Sequence, residues 1–219
     1  MKVLVLGHGV ANDGVIMLLD EEGIAYDYLD ISDVTTFAYD LVVKAPGILY
    51  TEHIINEFIK EGVQVITDIE VAMSLRKKFY IGITGSNGKT TVTSLIAKIL
   101  NQKYKAVACG NIGYSVCKAA VEEPDADIFV VELSSFALER AKIDLNISVL
   151  LNVHPCHLDH HKDFKEYCHS KANICLNQSD SHFCIYNSDE AIIREIASQS
   201  LAKKIAFSKD SIFASCYLY

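Results

Sequence analysis

The segment Ile81 to Thr91, I-G-I-T-G-S-N-G-K-T-T, constrains this chain more than any other. Phe79 to Thr84 is apolar and β-prone, and Val92, Leu95, Ile96, Ile99 and Leu100 recur at the spacing of one helical face, so the glycines fall where a strand becomes a helix. At such a junction free N–H groups and the helix dipole favour an anion. Gly85, Ser86, Asn87 and Gly88 form a loop that a phosphate can approach closely, Lys89 adds a cation, Thr90 offers a hydroxyl to Mg²⁺, and Thr91 completes the motif. The common spacing G-x-x-x-x-G-K-[ST] needs glycine at position 83, which is Ile83, so this is a shorter cradle in which Gly85 stands three before Gly88.

The rest of the 219 residues bounds the ligands such a cradle serves. Half are hydrophobic, enough for a sizeable core, and the length suits one large or two small domains. A net charge of −8 with scattered basic residues argues against a nucleic-acid surface. No signal peptide opens the chain and no apolar run approaches the roughly 20 residues of a membrane helix, which points to the cytoplasm. The 7 cysteines include no C-x-x-C pair and read as reduced thiols, mostly small core residues.

Two α/β units follow one another. Residues 1–78 read as a Rossmann-like parallel-sheet domain: a strand at Lys2 to Leu6, the turn Gly7-His8-Gly9, a helix carrying Val15, Ile16, Leu18 and Leu19, and strands at Tyr26 to Leu29, Asp40 to Val43 and Val63 to Ile66, with a Pro46-Gly47 turn and a helix over Ile54 to Lys60. Asn12 stands where a dinucleotide fingerprint has glycine or alanine, so the turn fits a role in the fold or another phosphate ligand better than NAD. Residues 79–219 read as a P-loop-type α/β domain with further strands at Lys105 to Ala108, Asp127 to Val131, Ile147 to Val153, His182 to Tyr186 and Lys203 to Phe207. The end, Phe213 to Tyr219, reads as a strand without a partner, which suggests a truncated domain.

Three places invite chemistry. Glu132 ends an apolar strand beside the phosphate loop, where it can hold Mg²⁺ or cap the helix that Ser134 and Ser135 also suit. His154, His157, His160 and His161 match no standard zinc spacing, leaving a transition-metal site, a solvated loop or an active-site loop. Lys171 projects into the middle of an apolar helical face set by Phe164, Tyr167, Cys168, Ala172 and Cys175. Either it snorkels to solvent or desolvation keeps its amine partly neutral and able to take up CO₂ as a carbamate.

In order and spacing, G-S-N-G-K-T-T at 85–91, G-N-I-G at 110–113, E-L-S-S-F at 132–136, L-N-V-x-x-x-H-L-D at 151–159 and Lys171 resemble the Mur ligase family. A-P-G-I at 45–48 and D-I-E at 68–70 resemble its D-glutamate-adding branch. The resemblance implies an ATP-dependent ligase of peptidoglycan synthesis that activates UDP-MurNAc-L-Ala as an acyl phosphate, which the amine of D-glutamate then attacks. It implies that Lys89 meets the β/γ-phosphates, that Thr90 and Glu132 hold one Mg²⁺, and that His157 with carbamylated Lys171 holds a second. Asn111, Ser134 and His157 would face the muramoyl moiety, while Gly7, Gly9, Val10, Pro46 and Gly47 would line the uridine diphosphate site. Cys156, Ala137 and Ser32 depart from the family's usual aspartate, glutamine and arginine. Family members carry a third, C-terminal domain with the acceptor site, so this chain is expected not to complete ligation alone. A non-catalytic nucleotide-binding module and a ligase with another acceptor are the alternatives.

Overall fold

The structure, a computed structural model, describes residues 1–157, 160–209 and 216–217, the last two by backbone alone. In chain order the elements are β1 (Val3–Leu6), α1 (Val10–Glu21), β2 (Tyr26–Leu29), a 3-10 turn at Ile31–Asp33, β3 (Leu41–Lys44), α2 (His53–Lys60), β4 (Gln64–Ile66) and α3 (Asp68–Leu75). There follow β5 (Phe79–Thr84), α4 (Lys89–Leu100), β6 (Ala106–Gly110), α5 (Val116–Glu122), β7 (Ile128–Glu132), α6 (Ser135–Leu138), β8 (Ile147–Leu150), α7 (Phe164–Leu176), β9 (Phe183–Asn187), α8 (Ala191–Ser198), β10 (Lys203–Ser208) and β11 (Cys216–Tyr217).

Both sheets are parallel throughout, as short apolar strands separated by helical segments require. The first runs β2-β1-β3-β4 and the second β11-β10-β9-β8-β5-β7-β6. In each, the chain leaves two adjacent strands toward opposite edges: β1 and β3 in the first, β5 and β8 in the second. That divergence opens a crevice at the carboxyl ends of those strands, where α/β sheets bind ligands. The glycine turn after β1 and the Pro46-Gly47 turn after β3 flank one crevice; the phosphate loop after β5 flanks the other.

Strand alternation divides the core. Leu4 and Leu6 face outward to Tyr39, Val42, Tyr50, Ile55 and Phe58, whereas Val3 and Val5 join a cluster that continues into Val116, Cys117, Phe129 and Leu133 of the second sheet's side. One apolar layer therefore joins the two sheets. Within it α1 lies against α5 so closely that a Cβ on Gly14 would stand 2.0 Å from Ser115 Oγ.

Two sequence expectations fail here. Val92, Ile96 and Leu100 pack against the core as expected, but Leu95 and Ile99 are 53% and 59% exposed, because α4 turns its small residues Thr93 and Ala97 onto the sheet and so approaches it closely. The terminal strand is also not unpartnered: Phe207 and Ser208 of β10 pair in parallel with Cys216 and Tyr217, while Phe213 to Ser215 and Leu218 to Tyr219 lie outside the described residues. Cys109, Cys117, Cys168, Cys175 and Cys184 are buried free thiols and Cys156 is partly exposed. Among the described residues no helix is long and apolar enough to cross a membrane.

Candidate functional site

β5 carries Thr84 to the sheet edge, and the loop after it closes through Gly88, whose φ of 80° is a left-handed conformation that side chains disfavour. α4 then starts at Lys89 with no side chain capping its first amides, which leaves them for an anion. The loop is held from β8's side. Asn152 Oδ1 accepts from Asn87 N at 2.8 Å, its Nδ2 donates to Asn87 O at 3.0 Å, and Ser86 N donates to Asn152 O at 2.9 Å. Ser86 Oγ also meets the Tyr167 hydroxyl at 2.9 Å. Thr91 is exposed on the first turn of α4.

Two ammonium groups converge behind this loop. Lys89 Nζ donates to Gly85 O at 3.0 Å and Ser86 O at 3.1 Å; Lys171 Nζ donates to the same Gly85 O at 2.9 Å and to Thr84 Oγ1 at 3.3 Å. Lys171 is 1% exposed and sits 4.8 Å from the Tyr167 ring centre, so it does not snorkel. Burial, reinforced by the nearby Lys89 charge, pushes its pKa down to about 7. A sizeable fraction of the amine is therefore neutral at physiological pH.

Opposite them, β7 delivers Glu132, 3% exposed. Its Oε2 accepts from Thr90 Oγ1 at 2.7 Å and its Oε1 from Asn111 Nδ2 at 3.1 Å. The helix-capping reading falls to its neighbour: Ser134 Oγ accepts from Ala137 N at 3.1 Å. One buried carboxylate and a hydroxyl form a hard-oxygen pair that fits Mg²⁺, which keeps several waters and prefers one or two carboxylates plus phosphate oxygens.

The rings of His157, His160 and His161 gather on Phe136, but His154, His160 and His161 make separate polar contacts. His154 Nε2 is 3.8 Å from Glu190, His160 Nε2 is 3.3 Å from Glu139, and His161 Nε2 meets Ser135 Oγ at 3.0 Å. His157, at φ 53°, packs its ring 5.0 Å from Phe136 and shares no hydrogen bond with Glu132 or Lys171. Among the described residues no three His, Cys, Asp or Glu side chains converge as a metal site.

Two adjoining cavities lead to Glu132. The outer, about 710 Å³, is lined by Gly7, His8, Gly9, Val10, Ser32, Pro46 and Gly47. The inner, about 270 Å³, lies between the sheets and is lined by Val10, Pro46, Asp68, Asn111, Glu132 and Ser134. Val10, Ala11 and Pro46 line both. Asn12, in the first turn of α1, braces the glycine turn: its Nδ2 donates to Leu6 O at 2.9 Å and Gly7 O at 2.7 Å, fixing the turn from inside.

Residues 83–215 match the Mur ligase middle domain. The chain belongs to the Mur ligase family. It is 39% identical over 176 residues to the UDP-N-acetylmuramoylalanine–D-glutamate ligase of Geobacillus sp. (strain WCH70), covering 80% of this chain and 39% of that protein. Against the ligase of the same name from Fusobacterium nucleatum subsp. nucleatum it is 34% identical over 223 residues, covering 95% and 51%. A solved structure, the UDP-N-acetylmuramate:L-alanyl-gamma-D-glutamyl-meso-diaminopimelate ligase from Neisseria meningitides, shares the fold at TM-score 0.62 and 13% identity, over 94% of this chain and 77% of that one. The chain thus spans between 39% and 51% of the length of these curated relatives.

Of the Mur ligase motifs, Leu158 and Asp159 lie outside the described residues. Ala137 lines the inner cavity and Ser32 the outer, so two of the three departures face the cavities. Asn152, within the L-N-V motif, and Tyr167, on the apolar face of α7, shape the phosphate loop, a role the sequence alone does not assign them. Tyr167's position four residues before Lys171, on the same helical face, was the available signal.

Proposed function

We propose that this chain forms the substrate- and phosphate-binding part of an ATP-dependent amide ligase of peptidoglycan precursor synthesis, acting in the cytoplasm, that joins D-glutamate to UDP-MurNAc-L-alanine. Residues 1–78 take the uridine diphosphate end and residues 79–219 the ATP phosphates. The observation that carries this reading is Glu132. It lies at the inner end of the two-cavity groove and is hydrogen-bonded to Thr90 of the phosphate loop, so a carboxylate at the groove's end and a nucleotide phosphate would meet there.

In this reading Gly7, Gly9, Val10, Pro46 and Gly47 hold the diphosphate, and Asn111, Ser134 and His157 orient the muramoyl and alanyl groups. The alanyl carboxylate receives the terminal phosphoryl group of ATP, and the amine of D-glutamate displaces phosphate from the resulting acyl phosphate. Gly85 to Thr91 cradle the phosphates, with Lys89 exchanging its loop carbonyls for phosphate oxygens. Thr90 and Glu132 would hold Mg²⁺, which when bound would offset the charge of the meeting anions. His157 and Lys171 would hold a second ion once the Lys171 amine adds CO₂ and releases a proton to become a carbamate; intact mass in bicarbonate, about 44 Da heavier, is the readout. In this reading the D-glutamate site is expected from the part of the relatives' length that the match does not cover.

The reading is tested by titrating Mg-ATP into the chain and into Lys89→Ala. Losing a charge-assisted phosphate contact should weaken binding by about 10- to 100-fold. Equal affinities would sink it.

A further inference from the structure

Nothing in this mechanism uses Lys44, although it is 0% exposed and among the largest fully buried side chains. It ends β3, and its Nζ donates to Ile48 O at 3.0 Å, closing the Pro46-Gly47 turn from within. The same Nζ stands 4.4 Å from the centre of the Tyr50 ring, itself 3% exposed. A second cation reaches that ring from the other sheet: the Arg140 guanidinium, just beyond α6, lies 4.6 Å from its centre. Glu139, Asp68 and Glu70 surround Lys44 at longer range. One of them extends the connection between the two units, since Glu70 Oε1 accepts from Lys142 N at 3.1 Å.

A buried cation bonded only to a carbonyl and a ring is a poor source of stability, and an apolar side chain of similar volume would avoid its desolvation. Its contribution is positional. The turn it closes supplies Pro46 to both cavities, while α6 and the residue before it supply Ala137 and Ser134 to the opposite wall of the inner one. Tyr50 is thus touched by one cation from each wall.

We propose that Lys44, Tyr50 and Arg140 form a latch between the two sheets that sets the width of the inner cavity, making Lys44 a positioning residue for the muramoyl part of a UDP-linked substrate. The identity of that substrate rests on the ligase reading; the latch does not.

The test follows Lys44→Met in this chain by amide hydrogen exchange, thermal melting, and titration with UDP-MurNAc-L-alanine and Mg-ATP. Exchange at Gly47 and Ile48 should quicken about tenfold while β1 stays protected. Affinity for the UDP substrate should fall about tenfold with Mg-ATP affinity within about twofold, and the melting temperature should hold or rise. Arg140 is exposed, so Arg140→Gln repeats the test on a side chain whose loss leaves the fold intact. Unchanged exchange at the turn overturns the latch. Faster exchange with unchanged substrate affinity overturns the positioning role, as does a parallel loss of both ligands and of melting temperature. If the unaltered chain fails to bind the UDP substrate, the ligase reading falls and the exchange measurement still decides the latch.

Discussion

Lys171 shows how far a single residue can be read before any coordinates exist. A lysine inside an apolar helical face was anomalous in the sequence, and the structure resolves it as a desolvated amine sharing Gly85 O with Lys89. Its pKa of about 7 lies below the ordinary lysine value of 10.5. Above pH 7 the folded chain therefore releases a proton that the unfolded chain keeps, and stability from this group rises with pH from about 7 toward 10.5. Asp68 slopes the other way: burial lifts its carboxyl from 3.8 to about 6, so its contribution falls as pH rises across that interval. Lys171→Met should add up to ~4 kcal/mol at pH 6 and flatten the climb above pH 7. Urea denaturation from pH 5 to 9 measures both, and parallel curves for the two proteins would refute the assignment. Lys44, equally buried, left no such signal, because a lysine closing a short strand reads as an exposed end. Its surroundings are tertiary: the Tyr50 ring lies 4.4 Å from its Nζ, and the Arg140 that meets that ring comes from the other unit.

At the scale of elements, the strands were the legible part. Phe79–Thr84 lies where its apolar run puts it, because a central strand of a parallel sheet is buried on both faces, and Tyr26–Leu29, half-buried at the edge of the first sheet, also lies where expected. Helix faces were less legible. In α4 the predicted face is half right: Val92, Ile96 and Leu100 pack against the core beside the buried Thr93 and Ala97, while Leu95 and Ile99 stay exposed because the small residues let helix and sheet approach. Leu95→Gln and Ile99→Gln should therefore shift stability by no more than about 0.5 kcal/mol. Ala97→Leu, forced against the sheet, should cost about 1–3 kcal/mol. Urea midpoints in the reverse order would restore the sequence-based face. The caps follow composition more closely: Thr67 and Glu70 form a capping box that starts α3, and Asp163 Oδ1 accepts from Glu166 N at 2.8 Å to start α7.

Over the whole molecule, the order of motifs conveyed both sheets and the phosphate loop, but not how the sheets meet. That arrangement depends on pairs far apart in sequence, such as Gly14 with Ser115 and Tyr50 with Arg140. A side chain at Gly14 would also meet Lys118 N at 2.9 Å, and backbone cannot swing aside as a hydroxyl can. Gly14→Val should accordingly cost about 3 kcal/mol and weaken the UDP substrate more than Mg-ATP. Equal stability and unchanged titrations would show that the two helices separate freely. The same contact bears on how such proteins can be recombined. A chimera that exchanges the first sheet between relatives by splicing at residue 78 would set a foreign α1 against a native α5, so a viable graft must transplant the two helices together.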